Sequence, residues 1–182
     1  MASDCSHCGV KPKHAFAASV CQGAYEGELR EVVLRTKLPA EFPLTAALAE
    51  LLFESVGETI APWRVDRVVA MPMHWMRRFL RGGNGPELIA QRLAGRLGVV
   101  ASSRLLVRRR NTPPQASLPP SARQANVRGA FRVRRPGSVQ GSRILLVDDV
   151  MTTGATCREA ASTLIAAGAA AVFVAVLARA DS

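Results

Sequence analysis

Two apolar, β-branched runs near the end of the chain, Arg143–Val147 (RILLV) and Ala171–Leu177 (AVFVAVL), bracket an Ala-rich stretch, Ala155–Ala167, that ends on Gly168. Strands read as continuous apolar runs when both faces of their sheet are covered. The glycine stands where a helix needs a left-handed residue to stop. Strand, helix, strand in this order constrains the fold more than any other stretch, because two parallel strands must be joined by a crossover, and the crossover covers one face of the sheet. The same pattern argues against a membrane span. Ala160–Ala178 is uncharged and close to the ~20 residues a bilayer requires, but it opens with small residues and breaks at Gly168.

The rest of the chain repeats the alternation. Ala15–Cys21 predicts a short strand, Glu28–Lys37 and Leu44–Glu58 predict helices, and Val65–Met71 predicts a buried strand. Glu87–Leu97 carries Leu88, Ile89, Leu93 and Leu97 at helical spacing, and Ser103–Val107 and Ala130–Val133 predict further strands. Repeated β–α–β units imply a mostly parallel sheet with helices on both faces. The 182 residues, 48% apolar and 21% charged, suit one packed domain and exclude a disordered or disulfide-framework chain. With only 5% aromatics, the core must be aliphatic. Between the strands at 103–107 and 130–133, Arg108–Arg128 contains four prolines and no apolar period, so an irregular functional excursion is expected there.

Charge is concentrated rather than spread. The formal net charge is +10, and from Leu88 to Val147 the chain has twelve arginines and no acidic residue. A one-sign stretch of this size concentrates anions, whether a polyphosphate or a nucleic-acid backbone. An Arg-rich solvated face is the plainer alternative.

The most informative segment is Ile144-Leu-Leu-Val-Asp-Asp-Val-Met-Thr-Thr-Gly-Ala-Thr156. It joins a strand to two acids and then to a hydroxyl-rich turn that opens a helix. The first amides of a helix are unsatisfied donors in a positive field, so Thr152, Thr153, Gly154, Ala155 and Thr156, entered through Met151, can enclose a phosphate. Gly154 lets the backbone approach the oxygens. Asp148 and Asp149, just ahead of the turn, can accept hydrogen bonds from vicinal sugar hydroxyls. Phosphate at one end and diol at the other describe a ribose 5-phosphate. The alternative, a solvated turn with Thr153 or Thr156 as a helix cap, leaves two adjacent carboxylates repelling each other with nothing to share their charge.

This segment resembles the binding motif of type I phosphoribosyltransferases. Across the chain the match is to the ComF family of competence-associated, phosphoribosyltransferase-like proteins. It runs through the CxxCG start, Tyr25 with Gly27-Glu-Leu-Arg30 and Lys37, the VxxMPMH strand end, Arg77, Arg81-Gly82 and Asn84. It continues through Gln115, Arg123-x-x-Asn126-Val127-x-Gly129-Ala130-Phe131, the Asp-Asp turn and Leu177-Ala-Arg179.

The resemblance implies the type I fold, with a flexible loop over the site. It implies a Mg²⁺-dependent transfer of a phosphoribosyl group from phosphoribosyl pyrophosphate to an acceptor, with Asp148, Asp149 and the 151–156 turn on the ribose 5-phosphate. It places a pyrophosphate loop at Met71, Pro72, Met73, Arg77, Arg81 and Asn84, and closing-loop residues at Arg110, Gln115 and Arg123. A homodimer is a further expectation, since dimers are common among the resembling enzymes. Alternatives from other classes are a single-stranded-DNA-binding accessory of DNA uptake and a non-catalytic phosphoribosyl pyrophosphate sensor. Where the family commonly shows RGFNQ, this chain has Arg81-Gly-Gly-Asn-Gly85, losing an aromatic and a Gln.

Residues 1–14 read as a degenerate zinc-knuckle-like start to a phosphoribosyltransferase domain spanning 15–182. Cys5 and Cys8 have the spacing of half a tetrahedral site, but no second CxxC follows, so the set is incomplete and ordered zinc is not expected. Met1–Lys13 lacks the apolar stretch of an export signal, so a cytoplasmic location is expected.

Overall fold

A computed structural model describes residues 15–74 and 84–180. Five strands form one all-parallel sheet: β1 (Ala18–Ala24), β2 (Arg67–Ala70), β3 (Val100–Ser102), β6 (Arg143–Met151) and β7 (Ala171–Arg179), in the order β1-β7-β6-β2-β3. Two further strands, β4 (Leu106–Arg108) and β5 (Phe131–Val133), pair antiparallel as a separate ribbon. The helices are α1 (Gly27–Arg35), α2 (Phe42–Ile60), α3 (Gly85–Leu97), α4 (Pro120–Val127) and α5 (Ala155–Ala166). Among the described residues no helix is long and apolar enough to cross a membrane.

The alternation along the two central strands builds two cores. Ile144 and Leu146 of β6, with Val172, Val174 and Val176 of β7, face α5 and the ribbon. Leu145 and Val147, with Phe173, Ala175 and Leu177, face α1, α2 and α3. Helix α2 meets this second core through Leu48, Leu52, Val56 and Ile60, one turn apart and almost fully buried. Both faces of β6 and β7 are covered, which is why their sequences carry no polar alternation.

Several elements differ from the sequence expectations for physical reasons. The strand expected at Ser103–Val107 is instead a bend at 103–105 between two short strands, β3 ending at Ser102 and β4 starting at Leu106. Val99 and Ala101 pack on one face of the sheet and Leu105 and Leu106 on the other, so the chain must cross the sheet edge between them. The excursion expected to be irregular contains a 3₁₀ turn at Gln115–Ser117 and then α4, whose Pro120 occupies a first-turn position where the missing N–H costs nothing. The first strand runs three residues later than expected, since β7 offers partners as far as Arg179 for Ala24.

The two ends of the sheet are unlike. At the amino end of β6, Trp63 stacks on Phe173 with ring centroids 4.7 Å apart, and Arg143 donates through Nε to the Trp63 carbonyl at 2.6 Å. That end is closed. The carboxyl end is open, and ligands of parallel α/β sheets bind there.

Candidate functional site

Strand β6 is longer than its neighbour β2. Their pairing stops at Ala70–Val147, with one more bond from the Met71 N–H to the Val147 carbonyl at 2.7 Å, while β6 continues along β7 to Met151. The sheet therefore parts at the carboxyl ends of β2 and β6, and Asp148 and Asp149 stand at the parting. The strand expected to end at Val147 thus includes both acids. A cavity of about 320 Å³ opens there.

One wall is the acid pair and the turn Thr152–Thr156. The Asp149 N–H donates to Asp148 Oδ1 at 3.0 Å, and the Val150 N–H to Asp149 Oδ1 at 2.8 Å, so each carboxylate is oriented by the amide that follows it. Gly154 precedes α5 at φ +71°, a left-handed conformation that glycine adopts without strain. It has no side chain with which to cap the helix; the Ala155 N–H donates to Thr153 Oγ1 at 3.5 Å, and the Thr156 and Cys157 amides have no partner within the helix.

The opposite wall is Met71, Pro72 and Met73, held by Asn84, whose Nδ2 donates to the Met71 carbonyl at 3.2 Å while the residue is almost fully buried. Asn84 thus braces the end of β2 against the start of α3. Arg77 and Arg81 lie outside the described residues, as do Cys5 and Cys8. His74 is buried but is not part of the cavity wall.

The arm between β4 and β5 supplies the roof. Gln115 lines the cavity and donates to the Thr156 hydroxyl at 3.1 Å. Arg110 and Arg123 are not in the wall: Arg110 donates to the Arg128 carbonyl and Arg123 Nε to the Leu118 carbonyl at 3.1 Å, so both brace the arm itself.

Three charged or aromatic wall residues were not singled out from the sequence as site residues: Tyr25, Lys37 and Arg108. Tyr25 and Lys37 are quoted above only as carriers of the resemblance, and Arg108 only as one of a dozen cations. Lys37 Nζ lies 3.9 Å from Asp149 Oδ2. Arg108 donates to the Thr112 hydroxyl and lies over the Phe131 ring, 5.5 Å from its centroid. These are the cations that face the acid pair across the cavity.

Burial raises the Asp148 carboxyl well above its ordinary range, and the charge of Asp149 raises it further; Arg108 opposes the rise without cancelling it. Burial also raises the Cys157 thiol, with Asp148 adding to the effect. Cys157 is thus a protonated, packed side chain beneath the turn. The two acids are matched in number by Lys37 and Arg108, and an arriving cation or a set of hydroxyl donors favours the ionised form of Asp148. Among the described residues no three His, Cys, Asp or Glu side chains cluster as a metal cage. Two carboxylates beside a phosphate pocket nevertheless fit Mg²⁺, which is usually held by one or two carboxylates together with phosphate oxygens.

Residues 84–182 match the family model of the phosphoribosyl transferase domain. Over 96% of its length the chain is 35% identical to the DNA utilization protein YhgH of Salmonella typhimurium, covering 77% of that protein. The chain belongs to the ComF family of phosphoribosyltransferase-domain proteins. It is also 28% identical to Competence protein F of Haemophilus influenzae, over 96% of this chain and 79% of that one. Among solved structures, the allosteric regulatory enzyme of purine biosynthesis aligns with a TM-score of 0.50 and 24% identity over 73% of this chain. That likeness shows the type I phosphoribosyltransferase fold, and this ComF-family chain spans only 26% of that enzyme.

Proposed function

We propose that the cavity binds Mg²⁺·phosphoribosyl pyrophosphate and that the chain transfers the phosphoribosyl group to a nucleophilic acceptor. The observation that carries this is the placement of the acid pair and the 152–156 turn on one wall of one cavity, at the point where the sheet parts. Asp148 and Asp149 accept hydrogen bonds from the two ribose hydroxyls. The Thr152–Thr156 turn donates amides and hydroxyls to the 5′-phosphate. The Met71–Met73 segment, fixed by Asn84, faces the diphosphate. The cavity volume falls in the range of roughly 300–1,000 Å³ usual for small-molecule sites.

When bound with the substrate, Mg²⁺ neutralises charge on the leaving diphosphate. The sugar C1–O bond breaks with its electron pair going to pyrophosphate, the acceptor's lone pair forms the new bond to C1, and the acceptor's proton passes to solvent. The roof formed by the arm keeps water from capturing the electron-poor sugar. Incubating the chain with Mg²⁺, phosphoribosyl pyrophosphate and a panel of bases and amines is expected to release pyrophosphate with at least one acceptor. No release with any acceptor would favour a protein that binds the compound without turning it over.

A second reading is favoured by the ribbon. Its core face is Leu106, Phe131 and Val133, while Arg132 of β5 and, one residue past the strand ends, Arg109 and Arg134 are exposed. Arg132 and Arg134, two residues apart, are separated by about 6.8 Å along the chain, and with the exposed Arg109 of the paired segment they make a short cationic row suited to a polyanion backbone. The relatives' names, DNA utilization protein and Competence protein F, point the same way. Binding of an oligo-dT strand is expected to weaken as salt rises. The triple variant R109Q/R132Q/R134Q is expected to flatten the log–log slope by about 2, at ~0.7 for each phosphate left without its arginine. An unchanged slope would dismiss the row as the DNA-binding surface.

A further inference from the structure

Among the described residues, Gln115 is the point at which the arm touches the hydroxyl of the phosphate turn, and both ends of its amide are engaged. Its Nε2 donates both to Thr156 Oγ1 at 3.1 Å and to the Arg123 carbonyl at 3.2 Å. Its Oε1 accepts from Asn126 Nδ2 at 2.8 Å, and Asn126 donates as well to the Pro113 carbonyl at 3.1 Å. The amide therefore has one orientation that satisfies every partner, with nitrogen towards Thr156 and oxygen towards Asn126.

The consequence falls on the Thr156 hydroxyl. A hydroxyl has one proton and two lone pairs, and here a lone pair is taken by Gln115. The proton has no acceptor among the described residues, and Thr156 lines the cavity. We infer that Gln115, held by Asn126, is a positioning residue that occupies the acceptor side of the Thr156 hydroxyl and so directs its proton into the cavity, towards an anionic oxygen of the ligand. This rests on the phosphoribosyl reading above, and its ligand is the 5′-phosphate end of the sugar. A second tie, from the Gly129 N–H to Glu159 Oε1 at 2.6 Å, joins the other side of the arm to α5.

Two substitutions reverse the polarity without emptying the space. In Gln115→Glu a carboxylate takes the proton of Thr156 for itself and adds negative charge beside the phosphate. In Asn126→Asp the lost donor is replaced by an acceptor, which draws the Gln115 nitrogen round and turns its oxygen towards Thr156. The experiment is a double-mutant cycle on ribose 5-phosphate binding, read by calorimetry on the full chain, with Gln115→Glu, Thr156→Val and the two combined. Thermal melts of each variant verify that it is folded.

Gln115→Glu and Thr156→Val are each expected to weaken binding about tenfold to a hundredfold, the range for losing a hydrogen bond to a charged group. In the Thr156→Val background, Gln115→Glu is expected to retain only the part due to its added charge, so the two losses do not add. Asn126→Asp is expected to reproduce a smaller loss, and Thr156→Ser to bind like the natural chain. Additive losses, or full affinity in Gln115→Glu, would overturn the inference while leaving the phosphoribosyl site standing. Should Gln115→Glu not fold, Asn126→Asp at full affinity overturns it equally. Absence of binding by the unsubstituted chain would overturn the site itself and this inference with it.

Discussion

Asp148→Asn is expected to make the chain more stable at neutral pH and, at the same time, to weaken binding of phosphoribosyl pyrophosphate by about tenfold to a hundredfold. The two effects have one cause. Burial and the neighbouring Asp149 charge hold the Asp148 carboxyl above its ordinary value of 3.8. Below that value the carboxyl is protonated in both folded and unfolded chains, and it contributes no difference between them. As pH rises past the ordinary value the unfolded chain ionises while the folded chain keeps its proton, so stability is lost until pH passes the raised folded value.

At pH 7 the native protein therefore carries a penalty that asparagine lacks, and the variant is expected to melt at the higher temperature. Asparagine still offers an acceptor to the Asp149 N–H, so the turn is not disturbed. Melts of the two proteins at pH 4 and pH 7 read the effect directly. The gain should be present at pH 7 and nearly absent at pH 4. A variant less stable at pH 7, or a gain of equal size at both, would show that Asp148 is not a strained acid. An acid kept at a cost to the fold is the mark of a group retained for binding.

The parts of this molecule differ in how far their sequence announces them. The β6–α5–β7 crossover is plain, because a fully buried strand needs apolar residues on both faces and a helix end needs Gly168. The acid pair and its turn are equally plain, since Asp148-Asp149 and Thr152–Thr156 are contiguous and their chemistry is local. What stays hidden depends on contacts between distant stretches. Ser103–Val107 gives no sign that one half of its surroundings belongs to the main sheet and the other to the ribbon, because that division is set by which core each Leu or Val reaches.

Arg108, Arg110 and Arg123 are chemically identical in sequence, yet only Arg108 turns into the cavity, while the other two spend their guanidinium groups on carbonyls of the arm. Lys37 reaches Asp149 from the turn after α1, more than a hundred residues earlier in the chain. No spacing rule connects those two positions. The arm's helix α4 is masked by four prolines, one of which serves as its starting residue.

The most direct test of the site is a calorimetric titration of Mg²⁺·phosphoribosyl pyrophosphate into the natural chain and into Asp149→Asn. Asparagine keeps the side chain's shape and its bond from the Val150 N–H, and it removes only the charge that faces Lys37 and the cavity. Any loss of affinity is therefore a loss of charge-assisted bonds to the sugar hydroxyls and the magnesium ion. Saturable binding by the natural chain, weakened a hundredfold or more in the variant, is the predicted result. Equal affinity in the two proteins would contradict a sugar held by the acid pair, and no binding by either would remove phosphoribosyl pyrophosphate from this cavity.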